Sequence, residues 1–454
     1  MHERRYFGTD GIRDVANQGH LVPDMVLAIG HAIGSLIRAS HDAARRPSVV
    51  LVRDTRISGA MIGSLLTGGL LAHGVDVRDA GVLPTPACAL LVRRLGANLG
   101  IVVSASHNPM PDNGIKLFGP DGRKLSDDAE LEIEQLIERA GSRDVELTGG
   151  DIGRLIPFAE GENIYLAAMV EEFFKDLDLD GMKVVVDCAH GSGARVAPRV
   201  LSALGCDVTA VHAQPDGLNI NDGAGVFWVA DLAPLVKEKG ASLGMALDGD
   251  GDRVLLVDEK GGVLDGDHML AILAQRLDPS RPREVVTTVM SNLGLRTLLS
   301  ERGVVVHQTP VGDRYVAEKM ESTDAPLGGE QSGHIIFHNG AGWFGDGLYT
   351  ALKVMEVMSR EKRSLSELAS DLEVFPQVLV NVAVHEKPPI SEVQALQEPL
   401  AARQVELGAE GRILVRYSGT EKLARVMVEG RDEDRIREIA EELAGILARE
   451  LGGA

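Results

Sequence analysis

The chain has 454 residues, enough for three or four domains at roughly 100–200 residues each. Its 46 Lys and Arg against 67 Asp and Glu give a formal net charge of −21, which excludes the broadly basic surface needed for nucleic acid or anionic membrane but not a few local cations around a small anion. Three cysteines without a CxxC pair read as buried thiols in a reducing compartment; no apolar run reaches the ~18 residues of a membrane span and the first residues lack a signal-peptide core, so a cytoplasmic location is expected.

In chain order, one pattern recurs three times: an apolar strand, a polar or Gly loop, a helix, then Gly and a second short strand. It runs from Val49-Val50-Leu51-Val52 to Gly74-Val75-Asp76-Val77, from Val184-Val185-Val186-Asp187 to Gly205-Cys206-Asp207-Val208, and from Val285–Val289 to Gly303–Val306. Each is a βαβ signature with strands apolar on both faces, and the Gly fits a left-handed helix cap. Three copies predict three similar α/β domains in tandem; one large sheet of repeated βαβ units is the alternative. Segment 359–366, rich in Arg, Lys and Glu, reads as a polar helix or hinge. Beyond it, Val378–Val384 alternates like a strand, a helix follows from Ser391, strands are expected at Ile413–Tyr417 and Arg425–Glu429, and a charged helix runs from Asp432 to about Glu450. This tail predicts a small α+β domain.

Four loops carry candidate chemistry. Ser104-Ala105-Ser106-His107-Asn108-Pro109 follows the apolar strand Leu99–Val103, so Ser106 is placed as an exposed nucleophile, with His107 and Asn108 beside it to donate or accept; a turn with local backbone bonds is the other reading. Lys116 is either a cation near a phosphate or an ordinary surface lysine. In Asp248-Gly249-Asp250-Gly251-Asp252-Arg253, three carboxylates at alternate positions can converge on one hard cation, and oxygen-only ligands favour Mg²⁺ or Ca²⁺. An EF-hand needs Gly where Arg253 stands, and Val254–Val257 reads as a strand, so Mg²⁺ is preferred. Glu330, Ser332 and His334, in Gly329-Glu330-Gln331-Ser332-Gly333-His334, offer partners for sugar hydroxyls, or form a polar turn. Arg416-Tyr417-Ser418-Gly419-Thr420-Glu421 and Arg425 form a candidate phosphate cradle, or a hairpin turn with two chance arginines.

Together, in this order and spacing, these motifs resemble those of the α-D-phosphohexomutases. Phe7-Gly8-Thr9-Asp10-Gly11-Ile12-Arg13, Asp54-Thr55-Arg56-Ile57-Ser58-Gly59, Leu83-Pro84-Thr85-Pro86 and Val311-Gly312-Asp313-Arg314-Tyr315-Val316 are similar to the branch of that family acting on amino-sugar phosphates. The resemblance spans Tyr6 to Gly430. It implies an α/β fold of three tandem similar domains with mixed sheets plus a C-terminal α+β domain, around a central cleft. The expected divisions are 1–157 with a phosphoserine loop, 158–257 with a metal loop, 258–371 with a sugar loop and 372–454 with a phosphate loop. Ser106 would carry the phosphate and, with Asp248, Asp250 and Asp252, hold Mg²⁺; Arg13, His107, Lys116 and Arg253 would flank the transferred group. Glu330, Ser332 and His334 would meet the sugar, and Arg416, Ser418, Gly419, Thr420 and Arg425 the retained phosphate. The implied reaction interconverts glucosamine 6-phosphate and glucosamine 1-phosphate through glucosamine 1,6-bisphosphate, feeding cell-wall precursor synthesis, with glucose 1,6-bisphosphate as a possible activator; glucose or mannose phosphates are the alternative substrates. The partner is a small sugar phosphate, with a monomer or homodimer expected. Arg13, Lys116, Arg253, Arg314, Arg416 and Arg425 are expected to share one basic concavity. Departures from the family pattern are Asp14, Phe344 and Lys422.

Overall fold

The computed structural model describes residues 5–8, 10–40, 45–139, 147–280, 282–338, 343–418 and 422–452. All three βαβ units form. Strands Ser48–Arg53 and Asp76–Val82 flank helix Ser58–Ala72, and Lys183–Asp187 and Asp207–Val211 flank helix Gly193–Ala203. Strands Glu284–Thr288 and Val305–Thr309 flank helix Leu293–Glu301. Each strand pair is parallel. Beyond the helices, Gly74, Gly205 and Gly303 take φ values of 74°, 96° and 70°, the left-handed region that stops a helix at low steric cost.

The three units lie in three separate sheets of six, five and five strands, so the tandem arrangement holds and the single large sheet does not. Every sheet is mixed. In each, the last parallel strand turns back into an antiparallel partner: Leu99–Val103 with Asp112–Phe118, Leu243–Leu247 with Val254–Asp258, and Leu327–Gly329 with Ile335–His338. The three candidate loops at Ser106, Asp248–Asp252 and Glu330–His334 are these reversals. A loop at the carboxyl end of a buried strand has a rigid base and solvent above it, which is where α/β folds carry function. Cys88, Cys188 and Cys206 are buried free thiols.

The chain divides into two compact units, Met1–Val289 with Val305–Ser370, and Met290–Val304 with Asp371–Ala454. In the second, strands Gln377–Ala383, Leu423–Gly430 and Gly411–Tyr417 form an antiparallel sheet in that order. Leu396, Val426, Val428, Ile439, Leu443 and Leu447 fill the core beneath it. The closing helix, Glu433–Leu451, is capped by Asp432, whose side chain accepts from Arg435 N.

Helix Leu293–Glu301, expected to pack with the third repeat, clusters with this second unit. Its N-terminus is held there by a buried carboxylate: Glu429 accepts Leu293 N at 2.7 Å and Gln377 Nε2 at 3.0 Å and pairs with Arg412. The polar segment 359–366 is a helix break, with Lys362 left-handed at φ 52° and a capping box from Ser364 and Glu367 starting the next helix. Among the described residues, no helix is long and apolar enough to cross a membrane.

Candidate active site

Ser106 follows strand Leu99–Val103 in a left-handed conformation at φ 51°, which costs a non-glycine residue on the order of 1–3 kcal/mol. A buried guanidinium offsets this. Arg56 donates to the carbonyls of Ser106 (3.1 Å), Asn108 (2.8 Å) and Asp112 (3.0 Å), and to that of Pro109. Its charge is balanced by Asp54 at 2.9 Å, and Asp54 also accepts from Ser104 Oγ at 2.6 Å. Asn221 Nδ2 donates to Ser106 O at 2.9 Å and Asn108 O at 3.0 Å. The bonds from Arg56 and Asn221 to these carbonyls fix the backbone and leave Ser106 Oγ free to point elsewhere.

That hydroxyl points at the acidic loop, donating to Asp248 Oδ2 at 2.5 Å. Ligand oxygens of Asp248, Asp250 and Asp252 lie within 4.8 Å of one another, and all three residues are buried. The two glycines between them do different jobs. Gly251 supplies a left-handed turn at φ 72°. Gly249 supplies room: a Cβ there would lie 2.6 Å from Ser106 O and 2.9 Å from Asn221 Nδ2. The loop leads straight into strand Val254–Asp258, with Leu247 opposite Val254, so it is a hairpin rather than an EF-hand.

The triplet's charge is only partly compensated. Asp250 Oδ2 accepts from Lys116 Nζ at 2.8 Å and Thr85 Oγ1 at 2.6 Å. Asp250 Oδ1 and Asp252 Oδ1 are buried with no hydrogen-bond partner among the described residues. Burial, and then the charges of Asp252 and Asp250, push Asp248 well above the usual carboxylate range. Buried oxygens without donors, on a cluster that resists full ionisation, fit a hard divalent cation.

A cationic shell surrounds the loop. Lys116 is buried on strand Asp112–Phe118, 2.8 Å from Asp250, 3.1 Å from Asp10 and 3.7 Å from Asp252, which rules out the surface-lysine alternative. Burial opposes its charge, but Asp10, Asp250 and Asp252 outweigh it and raise its pKa, so it stays a cation. Burial likewise opposes Arg253, and Asp252, Asp248 and Glu330 overcome it. Arg13 bonds Asp10 and reaches Asn108 Oδ1 at 3.4 Å. His107 Nδ1 is 3.3 Å from Ser106 Oγ. Burial, with Arg253 and Arg13 nearby, lowers its pKa to about 3, so it is a neutral imidazole.

Glu330 lies on the turn closed by Gly333 N to Glu330 O, and its Oε1 accepts Gly312 N at 3.0 Å. Burial and Asp313 raise its pKa. Ser332 is exposed on the same turn. His334 is buried, 3.7 Å from Asp313 and packed against Gly345, so it supports the turn from beneath. Arg314 faces Asp127, Glu130 and Glu318 rather than the aspartate triplet. A cavity of 560 Å³ beside the acidic loop is lined by Asp252, Lys124, Asp313, His334, Phe118 and Phe344, within the usual size range for small-molecule sites.

In the second unit, Arg416 and Arg425 are directly opposite on neighbouring antiparallel strands. Burial and then the Arg425 charge lower the Arg416 pKa, and Arg416 Nε is buried with no partner among the described residues. Ser418 is buried at the strand end, where Lys387 Nζ donates to its carbonyl at 2.7 Å. Gly419 and Thr420 lie outside the described residues. Two facing guanidiniums are unfavourable alone and favour an anion between them.

Sequence reasoning did not assign roles to Asp10, Thr85, Arg56, Asn221, Lys124 or Asp313. Lys124 bridges Asp10 and Asp313, the latter at 2.6 Å. Asp10, Thr85, Arg56 and Asp313 all stand in family-like motifs, so their signal was present. Asn221 and Lys124 stood in no motif that drew attention.

Comparison with known proteins agrees with this geometry. The chain matches the phosphoglucomutase/phosphomannomutase family in all four of its parts: alpha/beta/alpha domain I over residues 4–144, domain II over 163–262, domain III over 265–375 and the C-terminal domain over 379–446. It therefore belongs to that family and is a phosphohexose mutase by class, an isomerase. A relative named phosphoglucosamine mutase, from Geobacillus kaustophilus, is 44% identical over 451 residues, covering 99% of both chains. The crystal structure of a phosphoglucomutase/phosphomannomutase family protein from Burkholderia thailandensis is similar with a TM-score of 0.81 at 26% identity, covering 99% of this chain and 98% of that one. Aspergillus fumigatus N-acetylphosphoglucosamine mutase, solved with GlcNAc-6P and magnesium, shares the fold with a TM-score of 0.67 at 17% identity, covering 99% and 96%.

Proposed function

We propose that this chain acts as a phosphoglucosamine mutase, interconverting glucosamine 6-phosphate and glucosamine 1-phosphate through phosphorylated Ser106 and a 1,6-bisphosphate intermediate. The observation that carries this reading is Ser106 Oγ, 2.5 Å from Asp248 in a buried aspartate triplet whose Asp250 Oδ1 and Asp252 Oδ1 have no hydrogen-bond partner among the described residues. The name of the full-length relatives, phosphoglucosamine mutase, supports the amino-sugar substrate.

In the first half-reaction the bond from phosphorus to Ser106 Oγ breaks and a bond from phosphorus to the free sugar hydroxyl forms. The hydroxyl proton ends on Ser106 Oγ. The bisphosphate turns end for end and the second half-reaction runs in reverse at its other phosphate. Asp248, Asp250, Asp252 and phosphorylated Ser106 would hold Mg²⁺, which supplies charge neutralisation for the transferring phosphoryl group. Lys116, Arg13 and Arg253 are fixed cations for that group, and neutral His107 accepts or donates beside Oγ. Glu330 and Ser332 take sugar hydroxyls, with His334 beneath them. Arg416, Ser418 and Arg425, with Gly419 and Thr420, grip the retained phosphate. We place the domain divisions at 157, 257 and 371, and the protein in the cytoplasm.

Initial rates on glucosamine 6-phosphate, glucose 6-phosphate and mannose 6-phosphate test the substrate. The expected result is the highest kcat/KM on glucosamine 6-phosphate; a clear preference for either other sugar overturns the assignment.

A further inference from the structure

Asn221 is a turn residue of the second domain, yet its side chain bonds to the first. Its Nδ2 donates to the carbonyls of Ser106 and Asn108, and both contacts are acceptors, so only the amide-nitrogen orientation fits. The same nitrogen lies 2.9 Å from where a Cβ on Gly249 would sit, between the first two metal-loop aspartates. One atom therefore touches the nucleophile loop and abuts the acidic loop.

The support behind Asn221 is strained. Asn221 is left-handed at φ 60°, and its N–H donates to the carbonyl of Ala189 at 2.9 Å. Ala189, His190 and His212 are left-handed too, at φ 52°, 49° and 46°. Buried Asp187 holds the group together, accepting Ala189 N at 2.8 Å and Gly225 N at 2.9 Å and meeting His212 Nδ1 at 3.0 Å. Thr55, from the first domain, closes the set by donating to His190 O at 2.7 Å. Four left-handed non-glycine residues in one cluster are strained backbone, and such strain collects where geometry must be held.

We infer that Asn221 is a positioning residue for phosphoryl transfer: it sets the distance between Ser106 Oγ and the aspartate triplet by tying the nucleophile loop to the domain that carries the metal loop. Arg56 grips the same carbonyls from within the first domain, so it shapes the loop but cannot set this distance. The inference rests on the proposed role of Ser106.

Two variants separate positioning from folding. Asn221→Gly keeps the left-handed backbone and deletes the amide; Asn221→Asp keeps the shape but sets an acceptor against two carbonyls. The rate of phosphoserine formation from glucose 1,6-bisphosphate should fall about 10- to 100-fold in Asn221→Gly, the cost of a misplacement near 1 Å, and further in Asn221→Asp. Mn²⁺ affinity of the unphosphorylated protein, and KM, should stay near wild type, because the aspartates and the sugar turn are untouched. Amide exchange across residues 104–112 should accelerate, a readout that needs no activity. Wild-type phosphoserine formation or exchange in Asn221→Gly overturns the inference. So does a matching loss of Mn²⁺ affinity, which would make Asn221 a general support of the site. A wild-type enzyme inactive on glucosamine phosphates would sink the substrate reading instead, and the exchange comparison would still judge Asn221.

Discussion

At residues 248–252 three carboxylates are buried with ligand oxygens within 4.8 Å of one another, whereas at 416 and 425 two guanidiniums face each other across a strand pair. Both are concentrations of like charge that a fold would avoid without a counter-ion. They differ in how much compensation is built in. The carboxylates carry their own shell of Lys116 and Arg253, so their geometry is set in advance and only the remaining charge needs a cation. The arginines sit beside the connecting turn of a hairpin in a smaller unit, where Arg416 Nε has no hydrogen-bond partner among the described residues. A partly neutralised centre suits bond making; a pair of facing cations suits holding a phosphate that must be exchanged for another.

The largest expected effect is at the centre itself. Ser106→Ala should lower mutase turnover by several orders of magnitude, measured by glucosamine 1-phosphate formation, because the proposed phosphate carrier is gone. Removing divalent cations with EDTA should abolish turnover and added Mg²⁺ restore it; chelation without effect would remove the distinction drawn between the two sites.

Next in size is Arg416→Met. A charge-assisted hydrogen bond contributes about 1.5–3 kcal/mol, so KM should rise roughly 10- to 100-fold. Mn²⁺ affinity should not change. Relief of the facing charges should leave the thermal midpoint equal or slightly higher, by the ~0.2–1 kcal/mol scale of cross-strand pairs.

Smaller still is the stability of the metal-free protein. Asp248 binds its proton more readily folded than unfolded, so its contribution is full below the unfolded carboxylate pKa and is lost as pH rises through the raised folded value. Calorimetry at pH 8 should therefore show the metal-free midpoint rising with Mg²⁺. In Asp248→Asn the metal-free midpoint should be higher and the Mg²⁺ shift much reduced. Away from both sites, His73 contacts His31 at 3.3 Å, and burial followed by the His31 charge lowers its pKa to about 4. Its proton is bound more readily when unfolded, so stability should hold above pH 6.5 and decline as pH falls from there through about 4. Against a His73→Phe reference, which keeps every other titrating group, a wild-type midpoint that rises over that fall would contradict the sign.

The contrast also explains what could be read from sequence. The strands, helices and four loops were legible because apolar runs, glycines after helices and spaced carboxylates are local signals. The reversal that places Ser106 beside Asp248 joins residues 142 positions apart, and no local pattern encodes it. Lys116 could not be told from a surface lysine until its strand was paired, since its neighbours Ile115 and Leu117 also face buried surroundings. The transfer of helix Leu293–Glu301 to the second unit depends on buried Glu429, 136 positions from Leu293. Asn221 was invisible for the same reason: its partners are carbonyls, and carbonyls carry no sequence.

In the proposed reaction every transferred phosphoryl group passes through Ser106. Peptide mass spectrometry after incubation with glucose 1,6-bisphosphate, followed by a chase with glucosamine 6-phosphate, tests this directly. One phosphoryl group should appear on Ser106 and be lost in step with bisphosphate formation. Sustained mutase turnover with Ser106 unmodified, or with the phosphate on another residue, would contradict it.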